Sequence, residues 1–420
     1  MARTLTPVDA HQIMNLLLRQ ATGEQALTVT DTSSFISAGE LVMATGMENV
    51  TNSVSIVMNR LIVASRAYNA RMRIVQTDEV GSYSNRARKI SFYSQNALPD
   101  GSHNTNLFTN LAAGYTSGDN GGASTKSQWE QHPAMPLEMN FAGTNVWQHC
   151  ITMYEDQLKI AFRSEEEFNR FVAGYLQEHA NDIEQEREGF YRALLLNRIG
   201  MTFDMTADMP GALVDLTTAF NTFYNITPGY TTQQLLSTYF KEFCAFFVSQ
   251  IKLYSDYMEN RSVNYHWSVP KTVGGDTFNI LRHTPKRDQR LAIYAPYFTM
   301  AESLVFPEIF NPRYLSIENA EMVNFWQSEA SKDAINITPA IIETDSTDPA
   351  YGTQIQGSAV AEDHIIAVLF DRDAVFGELQ LDRADSTPLE ARKHYRNVWN
   401  TFAKNGVSDP TENFIVFYMS

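Results

Sequence analysis

Residues 164–200 read SEEEFNRFVAGYLQEHANDIEQEREGFYRALLLNRIG and predict one long helix. Ser164 and Glu167 match a capping box, with two further glutamates at the positive end of the helix dipole. No proline interrupts the segment, and its apolar side chains recur with helical spacing: Phe168, Phe171, Val172, Tyr175, Leu176, Ile183, Phe190, Tyr191 and Leu194. Such a helix is roughly 50 Å long. Because the stripe is aromatic and irregular rather than a leucine heptad, we expect it to lie across a sheet.

The composition is that of a folded, acidic protein. The 420 residues are 44% hydrophobic and 12% aromatic, which excludes a disordered chain and predicts two or three folded modules. With 32 Lys+Arg against 48 Asp+Glu, the net charge of −16 argues against direct binding to a nucleic-acid backbone. Two cysteines, Cys150 and Cys244, make no disulfide framework and suggest a reducing compartment. No stretch predicts a signal peptide or a membrane span, so we expect a soluble intracellular chain.

The segment before the long helix predicts an extended hairpin arm. Short strands are indicated at 71–75 (RMRIV) and 88–92 (RKISF), and apolar alternation returns at Leu137, Met139 and Phe141. Between them, at 96–128, 18 of 33 residues are Gly, Ser, Thr or Asn. That composition cannot bury a core, and long loops of this kind are usually functional or mobile. We therefore expect two paired strands joined by a long polar tip.

The C-terminal half predicts a mixed helix and sheet module. A second long helix is expected from Thr231, which matches a capping box with Gln234. Residues 364–370 (HIIAVLF) and 414–419 (FIVFYM) are near-continuous apolar runs, which are typical of strands buried on both faces. We expect the terminal run to be built into a sheet.

No recognised catalytic, phosphate-binding or metal-binding motif occurs in the sequence. Asp371 and Asp373 could form a paired-carboxylate site, but the strand-end interpretation, with Arg372 balancing the acids, is favoured. His149 and Cys150 would point to opposite faces of a strand and would not meet. We therefore predict no catalytic residue, cofactor or metal.

Charge is unevenly distributed along the chain. Residues 66–95 carry six cations and two acids, whereas residues 164–200 carry four cations and eight acids. A cationic arm and an acidic helix are complementary, and such complementarity sets register more than affinity. The alternative is two independently solvated faces.

The order of these elements resembles that of tailed-bacteriophage major capsid proteins with the Hong Kong 97-type fold. The quoted long helix looks like the spine helix of that family, and the strand-plus-acid stretch at 362–374 (EDHIIAVLFDRDA) looks like one found in capsid axial domains. The resemblance implies an α+β fold in five parts: an N-terminal arm (residues 1–65), an extended β-hairpin loop (66–153), a peripheral domain with the spine helix (154–201), an inserted α/β axial domain (202–379), and a peripheral return with a closing strand (380–420).

The resemblance also implies a function. A major capsid protein self-assembles into hexamers and pentamers of an icosahedral bacteriophage head that encloses double-stranded DNA, without sequence-specific binding and without a membrane. The implied location is the virion, after assembly in the host cytoplasm. The implied partners are the chain itself, a separate scaffolding protein, a portal and a decoration protein. An acidic wall that repels its cargo agrees with this role.

The charge pattern and the resemblance together predict an inter-subunit contact in which the arm of one subunit lies over the helix of its neighbour. The predicted contact residues are Arg71, Arg73, Arg86, Arg88 and Lys89 on the arm, and Glu178, Asp182, Glu184, Glu186 and Glu188 on the helix. Some family members also cross-link a loop lysine to an asparagine. Here the residues to consider are Lys126 with Asn397, Asn400 or Asn405, although a cross-link is not the favoured interpretation.

Two alternatives remain open from the sequence. One is an encapsulin-like compartment shell, whose members are generally shorter with a less elaborate hairpin. The other is a two-domain hydrolase that uses Asp371, Asp373 and His364, which would form a small particle with a cleft.

Overall fold

The computed structural model describes residues 7–22, 28–45, 72, 74–79, 86–94, 135–143, 145–171, 174, 177–273, 276–297, 299 and 320–420. The helices of these residues are α1 (Pro7–Thr22), α2 (Thr32–Ala44), α3 (Glu155–Ala161), α4 (Glu165–Phe171), α5 (Gln177–Asp204), α6 (Leu216–Phe223), α7 (Thr232–Ser237) and α8 (Phe240–Glu259).

The strands are β1 (Gln76–Glu79), β2 (Arg86–Phe92), β3 (Pro136–Ala142), β4 (Asn145–Tyr154), β5 (Leu213–Asp215), β6 (Lys271–Val273), β7 (Asp276–Phe278), β8 (Gln289–Tyr294), β9 (Ala320–Val323), β10 (Ile335–Ile337), β11 (Ala340–Ile342), β12 (Gln354–Gln356), β13 (Val360–Glu362), β14 (Ile365–Asp371), β15 (Val375–Ser386), β16 (Tyr395–Ser408) and β17 (Phe414–Tyr418). The chain is α+β, as predicted.

A five-stranded sheet in the order β5-β17-β14-β8-β9 forms the core. The long apolar side chains of α8 pack on one face of the sheet, and the second half of α5 packs on the other. Every residue of β14 is buried, which explains why its sequence is continuously apolar instead of alternating. The predicted burial of this strand, and the predicted pairing of the terminal strand, are both confirmed.

The strands of the C-terminal segment are divided between two sheets. β15 and β16 join β1 and β4 in a four-stranded sheet, while β17 pairs with β14 and β5 in the five-stranded sheet. The apolar side chains of β17 lie on both faces of that sheet, where α5 and α8 cover them. The assignment of residues 380–420 to a peripheral domain stays a prediction.

The two predicted long helices are only partly as expected. Helix is present at α4 and α5, with Gly174 in a π-helical turn between them, and α5 continues past Gly200 to Asp204. Residues 172, 173, 175 and 176 lie outside the described residues. The helix predicted from Thr231 is divided: Thr231 caps α7 as predicted, but α7 ends at Ser237 and α8 begins at Phe240.

The predicted hairpin arm is confirmed at its base. β2 pairs antiparallel with β3 from Arg86 opposite Ala142 to Phe92 opposite Pro136. The polar tip predicted at 96–128 lies outside the described residues. Residues 71 and 73 of the strand predicted at 71–75 lie outside the described residues, and the rest is not a strand: Ile74 lies in a turn, where its amide donates to a Glu321 carboxylate oxygen at 2.7 Å. The neighbouring strand, β1, begins only at Gln76.

Two glycines let α5 approach the four-stranded sheet closely. Gly377 in β15 pairs directly with Gly406 in β16, and Tyr191 and Leu194 of α5 lie over this pair. A Cβ atom at Gly377 would stand 2.7 Å from Cε1 of Tyr191, closer than carbon atoms pack. Because the two glycines have no side chains, Tyr191 and Leu194 of α5 can lie directly against the backbone of β15 and β16.

We expect Gly377→Ala to lower the free energy of unfolding by about 1–3 kcal/mol, because the added methyl group overpacks the helix–sheet contact. Thermal or urea unfolding measures the change. The matched control is Gly189→Ala on the exposed side of α5, where a Cβ would meet no atom within 4 Å. That change should stabilise the helix by about 1 kcal/mol. Equal effects at both glycines would contradict the close approach.

Candidate functional site

The hairpin arm is fixed to the body by a buried cluster of charged side chains, which we call the polar junction: Lys89, Arg198, Arg282, Asp409, Thr411 and Glu412. Lys89 projects from β2 and its Nζ atom donates to the carboxylates of Asp409 and Glu412. The same atom lies 3.1 Å from the Thr411 hydroxyl. The arm thus meets the turn between β16 and β17, 320 residues further along the chain.

The turn that receives Lys89 is shaped by its own side chains. Asp409 is 1% exposed, and its Oδ1 atom accepts hydrogen bonds from the amide of Thr411 at 2.8 Å and from its hydroxyl at 2.7 Å. This is the local turn that aspartate favours two residues before its donor. The second oxygen of Asp409 is left for the lysine, so the acid is satisfied in a site with almost no water.

Two arginines complete the polar junction. Arg282 Nε lies 3.1 Å from Glu412 Oε1, and its Nη2 donates to Ser91 of the arm at 2.6 Å. Arg198, near the C-terminal end of α5, is fully buried, donates to the Glu412 carbonyl at 3.2 Å and lies 4.7 Å over the ring of Phe414. The junction therefore joins the arm, the long helix and the end of the five-stranded sheet.

Burial and charge act in opposite directions on the acids of the polar junction. Burial by itself would raise the pKa of Asp409, but the Lys89 ammonium and the Thr411 hydrogen bonds outweigh it and hold that pKa below its ordinary value. At Glu412 burial prevails over Lys89 and Arg282, and its pKa is raised. Burial also lowers the pKa of Arg198 to about 10, against the attraction of both acids. Lys89 is therefore the counter-ion of both acids.

A buried hydrogen-bonded chain continues from the polar junction towards Asp371. His266 Nδ1 lies 3.0 Å from Asn413 Oδ1, the Asn413 amide donates to Thr284 at 3.1 Å, and the Thr284 hydroxyl donates to Asp371 at 2.7 Å. Burial lowers the pKa of His266 to about 4, so this imidazole is neutral at pH 7. The interactions of Asp371 are thus structural.

The hydrolase alternative is wrong on geometry. His364 precedes β14 and Asp371 ends it, so the two lie at opposite ends of a seven-residue strand, about 20 Å apart. His364 pairs instead with Asp333 at 2.8 Å, and Asp373 with Arg372 at 3.3 Å. The three residues do not form one site.

Some of the predicted inter-subunit contact residues are bonded within their own chain, and others are exposed. Lys89 belongs to the polar junction, and Glu188 is 8% exposed and bonded to Arg192 at 2.7 Å, so both are paired within their own chain. Arg88 is exposed and pairs with Glu138 of its own hairpin at 2.6 Å. Residues 71 and 73 and the side chain of residue 86 lie outside the description.

On the helix, Glu178 and Glu186 are exposed, Asp182 is half-exposed, and Glu184 pairs with Arg187 at 3.1 Å. The contact itself stays a prediction. The asparagines weighed for a cross-link are partly unsuited to one: Asn400 is 2% exposed and bonded to His179, and Asn397 accepts a hydrogen bond from Thr152 at 2.8 Å. Lys126 and the side chain of Asn405 lie outside the described residues.

The arm also presents an apolar face that the sequence analysis did not identify. In β2, Lys89 and Ser91 point inward, so Ile90 and Phe92 point outward and are 53% and 58% exposed. The alternation of RKISF contained this signal, but only the polar junction shows which set of side chains is inside. Two adjacent large apolar side chains on an exposed hairpin are a feature of interaction surfaces.

A second polar contact holds α5 against the four-stranded sheet. His179 is 2% exposed and accepts a hydrogen bond from the Asn400 amide of β16. The ring of His149 in β4 lies 4.6 Å from that of His179, and its Nε2 is 3.5 Å from Asp182. Burial, and then the neighbouring His149, lower the pKa of His179 to about 4, although Asp182 opposes the shift.

Because the pKa of His179 is lower in the folded chain than its ordinary value of 6.5, the folded state binds fewer protons between pH 6.5 and 4. This contact should therefore contribute its full share of the free energy of unfolding above pH 6.5. That contribution should be lost as the pH falls towards 4, which lowers the free energy of unfolding by about 2 kcal/mol or less. We expect His179→Gln, which keeps an acceptor for Asn400, to make the free energy of unfolding depend less on pH between 6.5 and 4. Urea unfolding between pH 7 and 4 measures it, and an unchanged slope would contradict the assignment.

Within the described ranges, no cluster of three or more histidine, cysteine, aspartate or glutamate side chains is arranged to hold a metal ion. The described helices also include none long and apolar enough to cross a membrane. What the described part of the chain does provide is a rigid two-sheet body, an anchored arm and exposed apolar and charged surfaces. These features are compatible with a structural subunit, and the family comparison decides the class.

The family comparison makes the assignment specific. Residues 141–418, about two thirds of the chain, match the family model described as Phi29-like phage major capsid protein. The chain belongs to this family. The predicted recognition and the predicted capsid function are confirmed.

Solved phage capsids align with much of the chain at low identity and with TM-scores below 0.5. The capsid structure of Staphylococcus phage Andhra has a TM-score of 0.48 and 11% identity, covering 83% of each chain. That of Cyanophage P-SCSP1u has a TM-score of 0.41 and 11% identity, covering 83% of this chain and 86% of the other. No curated protein matches the sequence. The assignment rests on the family model.

Proposed function

We propose that the chain assembles into the hexamers and pentamers of an icosahedral phage head that encloses double-stranded DNA, and that it acts without catalysis or a cofactor. The family supports the capsid role. The observation that carries the assembly role is the arm, which buried ion pairs hold to the body while Ile90 and Phe92 face outward. A fixed arm with an apolar outer face is suited to lie on a neighbour.

In this proposal the arm of one subunit lies over the long helix of the next. Among the predicted contact residues whose side chains the structure describes, those exposed or half-exposed are Arg88 on the arm, and Glu178, Asp182 and Glu186 on α5. Charge complementarity would set the register of the contact, and the apolar side chains of β2 would supply the buried area.

The remaining partners are proposed on the same basis. The net charge of −16 suits a wall that does not adhere to packaged DNA. A separate scaffolding protein, a portal and a decoration protein would complete the head, and assembly would take place in the host cytoplasm.

Sedimentation and negative-stain microscopy of the purified protein test the proposal. Closed particles tens of nanometres wide are the expected result, under at least one condition of salt and protein concentration. Discrete small species under every condition, in the presence and absence of host-cell extract, would contradict the capsid role.

We expect Ile90→Thr combined with Phe92→Thr to reduce the yield of shells about tenfold or more, because the outer face of the arm loses its apolar anchors. Threonine retains strand propensity, so the subunit should fold normally. Sedimentation measures shell yield and circular dichroism verifies folding. Normal shells from this variant would exclude the arm's outer face from the contact.

A further inference from the structure

One surface segment of the chain is without charge. Residues 216–240 read LTTAFNTFYNITPGYTTQQLLSTYF and contain no Asp, Glu, Lys or Arg, although 19% of the whole chain is charged. The segment includes α6, α7 and the loop between them, and most of residues 221–238 are exposed. Charged side chains are depleted, and aromatic ones enriched, at the centres of protein–protein interfaces. The composition of this segment therefore indicates a contact surface.

Phe223 and Tyr224, at the end of α6, form an exposed aromatic pair, which we call the aromatic tip. They are 69% and 49% exposed, and their rings meet edge to face with centroids 5.0 Å apart. The Phe223 ring also lies 5.6 Å from that of Phe246, which is 2% exposed in α8. The aromatic tip is thus supported by the core beneath it, and it leaves a large apolar area in water.

The loop that follows the aromatic tip holds it in one position. The side-chain amide of Asn221 donates to the Tyr230 carbonyl at 2.9 Å, and its Oδ1 atom accepts from the Tyr230 amide at 2.8 Å. The Tyr230 ring stacks on that of Tyr239 with centroids 4.0 Å apart. At the other end of α6, Asp215 caps the helix by accepting from the Thr217 amide at 3.0 Å. An anchor that is preorganised in this way loses little conformational entropy on docking.

An open cavity of about 700 Å³ lies at the β9 edge of the five-stranded sheet. Its lining includes Pro296, which follows β8, and Asn324 and Phe325, which follow β9. Among the described lining residues, the charged ones are Glu329 and Lys332, whose charges are opposite, so the cavity has no net charge. Cavities of this size accommodate drug-sized ligands, and hence a pair of aromatic side chains.

The aromatic tip and the cavity belong to opposite edges of the sheet, at the same end of its strands. β5 and β9 are the edge strands, about 19 Å apart across four strand spacings. β5 runs parallel to β17, β9 runs parallel to β8, and both β17 and β8 are antiparallel to β14. The carboxyl ends of β5 and β9 therefore lie at one end of the sheet, where α6 follows the first and the cavity residues follow the second. One subunit thus has a protruding surface on one side and a recessed surface on the other.

We propose that the aromatic tip of one subunit docks in the cavity of a second copy of this chain. The inference rests on the proposed function and names a contact between neighbouring subunits of a capsomer. Because the two surfaces differ and belong to opposite edges of one sheet, the contact is heterologous. It repeats from copy to copy and closes into a ring when the rotation permits.

A second copy suits these two surfaces better than other occupants do. Each copy has a net charge of −16, so two copies repel each other and approach best where the local charge is zero. Both the segment 216–240 and the cavity satisfy this condition. The segment offers no cation to a phosphate group, which argues against a nucleic acid or an anionic membrane surface as its partner.

Disulfide trapping in the full chain tests whether the aromatic tip and the cavity meet. One variant is Thr222→Cys, at an exposed residue beside the tip, and the other is Asn324→Cys, at an exposed residue of the cavity. A disulfide forms only when the two Cα atoms lie within about 7 Å, so it reports direct contact. After mixing and mild oxidation, the two variants should give a linked dimer on a non-reducing gel. A chain with both substitutions should give a ladder that ends at five and six subunits.

Two controls accompany the trapping experiment. The wild type, whose own cysteines are the half-buried Cys150 and the buried Cys244, should give no ladder. A mixture of Thr222→Cys with Tyr257→Cys, at an exposed position of α8 that does not line the cavity, should give no linked dimer.

Removing the aromatic tip should weaken assembly. Phe223→Ser combined with Tyr224→Ser should raise the protein concentration needed for shells about tenfold or more, because the contact loses its aromatic anchors. The matched control is Leu253→Ser combined with Tyr257→Ser, which removes exposed apolar surface of α8 and should assemble as the wild type does. Sedimentation measures assembly, and circular dichroism verifies that both variants fold.

Three outcomes would overturn the contact. The first is the absence of a disulfide between the mixed variants in assembled shells. The second is linkage of the Thr222→Cys chain to itself in place of the mixed pair, which would show a contact between two tips. The third is normal assembly without the aromatic tip, which would assign the tip to a different partner protein. Failure of the proposed function differs from these: the wild type would form no shells, while trapping in concentrated solution would still show whether the tip and the cavity meet.

Discussion

Replacing Lys89 with methionine is expected to lower the free energy of unfolding by about 3–5 kcal/mol, because the change leaves Asp409 charged and buried without its counter-ion. Methionine retains the length of the side chain, so the loss is mainly electrostatic. Urea unfolding measures the stability, and limited proteolysis at β2 and β3 reports whether the arm separates from the body. The variant should also fail to form shells, since the arm would no longer be held in place.

The matched control is Arg88→Met, one residue earlier on the same strand. Its ion pair with Glu138 has side chains that are 59% and 43% exposed, and such pairs contribute less than about 1 kcal/mol. Lys89→Met combined with Asp409→Asn should recover part of the lost stability, because no unpaired charge is then buried. Equal losses at Lys89 and Arg88 would show that the polar junction does not anchor the arm.

Removing residues 414–420 is expected to abolish folding of the five-stranded sheet. β17 lies between β5 and β14, and Phe414, Ile415, Val416 and Phe417 are completely buried. Burial of four such side chains contributes roughly 6–12 kcal/mol, which is comparable with the whole stability of a typical domain. The backbone partners of β14 on that side would be lost as well.

Solubility on expression and near-ultraviolet circular dichroism measure the effect of this truncation. The matched control removes Ser420 alone, whose hydroxyl donates to Asp215 at 2.8 Å in an exposed position. That loss should cost less than about 1 kcal/mol. A soluble truncated chain with native near-ultraviolet signals would show that β17 is an accessory strand, as a peripheral closing strand would be.

The elements that the sequence predicted correctly are those with a strong local signal. Continuous apolar runs identified β14 and β17 as buried, because a strand covered on both faces has no polar side. Alternation identified the hairpin of β2 and β3, and a proline-free apolar stripe identified the helix of α5. Where the local signal was weaker, as at 71–75, the interactions of Ile74 with Glu321 decided the conformation.

The candidate site shows the limit of this approach. Charge counts placed Lys89 and Glu188 on opposite surfaces of an inter-subunit contact, whereas the structure binds each within its own chain. The sequence could not show which carboxylates would lie within reach of Lys89, because they are more than 300 residues away. Glu188 and Arg192 are four residues apart on one helix, so their spacing alone indicates that pair. The apolar outer face of the arm was missed because only the contacts of Lys89 show which side of β2 is inside.

The sequence by itself determined the local periodicities, the acidic total and hence the class of elements in this capsid protein. Only the tertiary structure decided which sheet receives the terminal strand and where Lys89 finds its counter-ions. Periodicity is a property of neighbouring residues, but the partners of Lys89 are 320 and 323 residues away. Their contact exists only after long-range strand pairing has brought the arm and the final turn together.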